Sequence, residues 1–144
     1  MKRIITFLCG VIFLVLSLSG CASGVIGSST IDVDLTQLSS NMVYSEVYNM
    51  MMTPEDYSGK TVKMQGQFSV FEDEMTGSTY YACIIADATA CCQQGLEFVP
   101  TGDYAYPDDF PKDGDEVVVV GTFETYSEGD LQYCHLIDSQ FTPL

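Results

Sequence analysis

Six cysteines and a single histidine are the residues of this 144-residue chain best suited to chemistry. Three of the thiols, Cys83, Cys91 and Cys92, fall within ten residues, in the stretch Tyr80 to Phe98, YYACIIADATACCQQGLEF. Cys134 and His135 stand side by side further on, while Cys9 and Cys21 lie near the start. Such a set opens three chemistries. The thiols can cross-link in an oxidising compartment. Thiolates and an imidazole can hold zinc or another soft metal. A thiol beside the histidine can act as a nucleophile.

Cross-linking is the first reading. With Cys9 and Cys21 assigned to the leader, four thiols remain, an even number in an exported domain. Direct closure of Cys91 on Cys92 strains a ring across one peptide bond, because a disulfide needs a Cα separation of about 4.4–6.8 Å. Two pairings survive: Cys83 with Cys91 and Cys92 with Cys134, or Cys83 with Cys92 and Cys91 with Cys134. The alternative is a zinc site drawn from Cys83, Cys91, Cys92, Cys134 and His135. Against it, the chain has no C-x-x-C knuckle, and adjacent strand residues such as Cys134 and His135 point to opposite faces. Reduced, buried thiols without chemistry are a third reading, and catalysis by a Cys-His pair is the weakest. The chain shows no phosphate-cradling glycine loop, zincin helix or serine elbow, and its carboxylate pair Asp108-Asp109 falls in a solvated loop. The expectation is therefore a non-enzymatic protein without a cofactor.

The elements that must carry these thiols follow a leader. Lys2-Arg3, an apolar run from Ile4 to Leu18 and the small residues Ser19-Gly20 make an export signal too short to be a spanning helix. Leu18-Ser19-Gly20-Cys21 resembles the lipobox of bacterial lipoproteins, which implies cleavage before Cys21 and acylation of its sulfur. That resemblance places the protein in the cell envelope, outside the cytoplasm. It divides the chain into a signal peptide (1–20), an acylated cysteine with a flexible tether (21–38) and a folded domain (39–144). Ala22 to Thr30, ASGVIGSST, has the small, polar composition of a flexible linker.

Charge bears on partners. Loss of Lys2 and Arg3 leaves three basic residues against twenty acidic ones, a net −17. Nucleic-acid binding depends on lysines and arginines that release counterions, so the balance argues against nucleic acid as a partner. It equally argues against docking on anionic lipid, leaving the membrane to be met through the N-terminal lipid. An envelope protein or a cation is the remaining expectation.

Ser39 or Ser40 is placed to cap a helix running to about Met52, with Met42, Val43, Val47, Met50 and Met51 at three-four spacing, the methionines filling core space. Thr53-Pro54-Glu55-Asp56 then starts a short turn. From Thr61 the period becomes two, and strands are expected at Thr61–Val70, Tyr80–Ile85, Leu96–Val99, Glu116–Glu124 and Leu131–Phe141. Gly66 and Gly121 mark bends. Pro100 to Gly114, PTGDYAYPDDFPKDG, carries Tyr104, Tyr106 and Phe110; these rings either cover one end of the core or meet a protein or glycan partner. The fold class is mainly β (α+β): a small five-stranded barrel preceded by one helix. It resembles the OB fold, although the usual OB helix lies between the third and fourth strands. Cys91-Cys92, Ala86-Asp87 and Gly95-Leu96-Glu97-Phe98 further resemble uncharacterised bacterial envelope proteins that carry a Cys-Cys pair on an OB-like domain. This implies fold and location and no activity. The functional expectation is a lipid-anchored, extracytoplasmic binding or accessory module, with zinc binding or a thiol enzyme as alternatives.

Overall fold

A computed structural model describes residues 30–87, 89 and 92–144; the leader, Cys9, Cys21 and Cys91 lie outside the described residues. In order come β1 (Val33–Asp34), α1 (Ser40–Met52), β2 (Thr61–Glu72), β3 (Thr79–Ala86), β4 (Gln93–Pro100), β5 (Glu116–Glu128) and β6 (Leu131–Pro143). Five of the strands agree with the period-two runs in the sequence, each extended by a few residues. The sixth, β1, was not expected. It lies parallel to the start of β2, with Val33 opposite Val62.

The five long strands close on themselves. β2 pairs antiparallel with β5 through its first half, Thr61 to Gln67, and with β3 through its second half, Gln67 to Glu72. β3 pairs antiparallel with β4, β4 runs parallel to β6, and β6 returns antiparallel to β5. One long first strand shared between two neighbours, with a single parallel contact closing the ring, is the connectivity of a small OB-like barrel. Gly66 sits where β2 changes partners. A Cβ there would stand 2.3 Å from the Ile84 carbonyl oxygen, so only glycine lets β3 come this close. Gly121 plays a similar part at the irregular step of the β5–β6 ladder between Val120 and Thr122.

The interior is filled by alternate residues of these strands: Val62, Met64 and Phe68 from β2, Cys83 and Ile85 from β3, Leu96 and Phe98 from β4, Val117, Val119 and Phe123 from β5, and Leu136 from β6. Two caps close its ends. α1 contributes Val47 and Met50, both fully buried, with Val43 packed beside them. Met42, Met51 and Met52 instead face solvent, so of the helix methionines only Met50 fills core space as expected. Ser39 occupies the N-cap position but its side chain makes no cap bond. The helix is tied down elsewhere: Tyr57 Oη donates to Glu46 Oε1 at 2.8 Å, and Gln94 Nε2 donates to the Tyr44 carbonyl. Loop 101–115 covers the other end and stands where an OB helix would be expected.

One boundary is corrected. Residues 32–38, assigned from sequence to the tether, are part of the domain. The Asp32 amide donates to the Thr61 carbonyl oxygen at 2.9 Å, and a 3₁₀ turn over Leu35–Gln37 puts Leu35 into the core at 1% exposure. Burial of one leucine is worth about 1.5–3 kcal/mol, enough to fix a short polar arm against the sheet.

Candidate functional site

The described thiols, Cys83, Cys92 and Cys134, do not converge. Cys83 is opposite Leu96 in the β3–β4 ladder, and Cys92 precedes Leu96 by four residues, about 13 Å of extended chain at 3.3 Å per residue. The parallel β4–β6 register, Glu97 opposite His135, brings Cys134 level with Leu96. Cys83 and Cys134 are thus two strands apart, roughly 10 Å, beyond disulfide reach. Both are free thiols. Both pairings expected from sequence join Cys83 and Cys134 to Cys91 or Cys92; among the described residues neither Cys83 nor Cys134 is cross-linked, and Cys91 lies outside them. The spacing that suggested them runs along the chain, while the hairpin register, with Ala86 opposite Gln93, decides who meets whom.

The same geometry bears on the metal and thiol-enzyme alternatives. Among the described residues no three His, Cys, Asp or Glu side chains converge on a point that could hold an ion. Burial pushes the Cys83 thiol up to about 12 and raises Cys134 as well, which keeps both protonated and unreactive near neutral pH. Cys134 packs against the core, whereas His135 lies on the outer face with its ring 4.6 Å from that of Tyr126. The alternation expected of neighbouring strand residues therefore holds, and it separates imidazole from thiol.

The rings of loop 101–115 divide. Phe110 stacks on Tyr81 at 4.1 Å and on Phe141 at 5.0 Å, and Phe68 lies 5.8 Å away. It is a plug for the barrel end. Tyr104 and Tyr106 rest on this cluster at its rim, 44% and 38% exposed.

The surface with built concavity is the outer face of β2, β3 and β4, whose residues the sequence reading did not single out. Alternation puts Gln65, Gln67, Ser69 and Phe71 of β2 outward, beside Ala86, Ile84, Ala82 and Tyr80 of β3 and Gly95 and Glu97 of β4. At one end the arm and the start of α1 arch over this face. Leu35, Leu38, Ser40 and Val43 then form one wall of a cleft of about 610 Å³, with Gln65, Gln67, Ile84, Ala86, Gln93 and Glu116 opposite. Three carboxamides, each both donor and acceptor, thus stand among leucine, isoleucine and valine side chains, with no lysine or arginine in the lining. Only the carboxamides distinguish this face in the sequence, and glutamine on a strand is equally common on a plain solvated surface.

The face leads away from the cleft over small residues, Ser69, Ala82 and Gly95, to a group of rings. Phe71 and Tyr80 are 6.4 Å apart, and Tyr80 Oη donates to Glu128 Oε1 at 2.9 Å. Tyr126 stacks on Tyr133 at 5.5 Å, and its hydroxyl donates to Glu97 Oε2. Burial, and then the bond to Glu97, hold the Tyr126 phenol far above its usual range. It is a hydrogen-bond donor and no general base.

Comparison with known proteins adds little. No family model matches the chain, and no curated protein matches it. A solved structure described as "Plasmodium falciparum SSB complex with ssDNA" covers 58% of this chain and 93% of its own, at 14% identity and a TM-score of 0.34. The partner expectations drawn from net charge are corrected on physical grounds. Exclusion of nucleic acid does not stand on charge balance, because net charge is a sum over the molecule while a binding face is local. Nothing in the described residues supports a membrane, an envelope protein or a cation in its place, and no described helix is long and apolar enough to cross a membrane.

Proposed function

We propose that this protein is an exported, non-catalytic binding module that holds an uncharged ligand on the outer face of β2–β4, with one end in the cleft under α1. The observation that carries the reading is the cleft itself. It is preformed and mostly apolar, and it is equipped with carboxamides that orient a ligand without demanding charge. Two free thiols held protonated and facing the core, and a histidine on the opposite side of β6, favour binding over thiol chemistry. The motif Leu18-Ser19-Gly20-Cys21 supports export, with acylation at Cys21.

A screen of uncharged fragments against the isotope-labelled protein by NMR tests the reading. Hits are expected to shift the amides of Gln67, Ile84 and Gln93 together. Shifts confined to the outward residues Val118 and Val120 of β5, or no hits at all, contradict it.

A further inference from the structure

Beyond the cleft, the small-residue floor and the rings at its far end form one continuous track. Ile84 in the cleft and Tyr80 at the rings are four residues apart on β3, about 13 Å, so the track is longer than a single ring-sized ligand. We infer that it binds a linear neutral oligosaccharide, which runs from the cleft over Ser69 and Ala82 to Phe71, Tyr80 and Tyr126. This rests on the binding reading above and adds the ligand class.

Three features carry the inference. First, the rings are exposed where a polymer would leave the cleft: Phe71 is 66% exposed and Tyr133 40% exposed, although both sit on well-paired strands. Flat apolar faces of this kind complement the C–H faces of a pyranose ring, while the tyrosine hydroxyls stay hydrated or bonded. Second, the polar groups beside them are carboxylates whose charge is already met by neutral donors. Glu97 accepts from Tyr126 and Glu128 from Tyr80. Each retains further lone pairs, and a carboxylate accepts readily from hydroxyl donors, which a sugar presents in quantity. Third, the charge around the track is one-sided. Glu97 and Glu128 border it, while Lys60 and Lys112 lie on other stretches and Lys63, on the same outward face of β2 two residues before Gln65, is met by Asp34 at 3.9 Å. Carboxylates placed this way accept from hydroxyl groups and ask no ion of the ligand. The flat floor of Ser69, Ala82 and Gly95 leaves room for a chain to lie across the strands between the two ends.

The test is an NMR titration of the purified full-length protein with cellohexaose, chitohexaose and maltohexaose, and in parallel with an oligothymidylate and an oligolysine. At least one hexasaccharide should shift Ser69, Ala82 and Glu97. Phe71→Ala and Tyr133→Ala should each weaken it about tenfold or more, and their exposure keeps them neutral to folding. If only the oligothymidylate or the oligolysine shifts these amides, the saccharide inference is overturned while the binding face stands. If no probe shifts them, both fall. A saccharide that binds with unchanged affinity to both variants overturns the track.

Discussion

Replacement of Phe110 by alanine separates the two uses that the sequence allows for loop 101–115. Phe110 is partly buried and stacks on Tyr81 and Phe141, with Phe68 and Tyr104 at its edges. Burial of a phenylalanine side chain is worth about 1.5–3 kcal/mol, and each well-placed aromatic pair adds about 0.5–1.5 kcal/mol. With partial exposure set against these four pairs, Phe110→Ala should cost about 3 kcal/mol. For a domain of this size that lowers Tm by about 10 °C. Tyr104→Ala, at a rim position 44% exposed, should cost under about 1 kcal/mol. Thermal unfolding followed by circular dichroism measures both. The reasoning is refuted if Phe110→Ala melts within a degree or two of the parent, or if Tyr104→Ala is the more damaging change.

Two further outcomes follow from groups the barrel encloses. Ser139 is fully buried, and its hydroxyl has no hydrogen-bond partner among the described residues. Ser139→Ala should therefore leave stability unchanged or raise it by up to about 1 kcal/mol in urea unfolding, because an unpaired hydroxyl costs more buried than in water; a loss above that size would reveal a partner. Alkali should unfold the protein early. Burial pushes the Cys83 thiol from 9.0 to about 12, and burial with the Glu46 bond pushes the Tyr57 phenol from 10.0 to about 12. Raised values mean that the folded state favours the protonated forms, so their contribution is complete below about pH 9 and is lost as pH climbs towards 12. A urea midpoint that stays flat from pH 9 to 12 contradicts this; in Cys83→Ala the fall should begin nearer pH 10.

The architecture was legible where one physical rule acted alone. Period-two patterning located all five barrel strands, because each buries a single face in one core. The glycines at 66 and 121 identified the strands that bend or are crowded. Legibility failed where register or tertiary contact decides. The arm looked like tether because its few apolar residues follow neither strand nor helix period for long, yet Leu35 anchors it in the core with Val33 and Leu38 packed beside it. The cysteines looked like a cluster because Cys83, Cys91 and Cys92 are close in sequence. The β3–β4 register sends Cys83 into the barrel instead, and leaves Cys92 exposed beyond the start of β4. The site was harder still. Gln65, Gln67, Ala82 and Tyr126 come from three strands, and each alone reads as an ordinary surface residue. Only the arch of α1 over that surface makes a cleft of it.

The most direct test of the central claim is to fill the floor of the outer face without touching the core. Ala82 points outward between Ser69 and Glu97, so a large side chain there meets ligand before it meets protein. In Ala82→Trp, ligands found by the fragment screen or the oligosaccharide titration should lose at least tenfold in affinity while Tm stays within about 3 °C of the parent. Parent affinity retained by a folded Ala82→Trp protein would contradict the assignment of this face as the binding site.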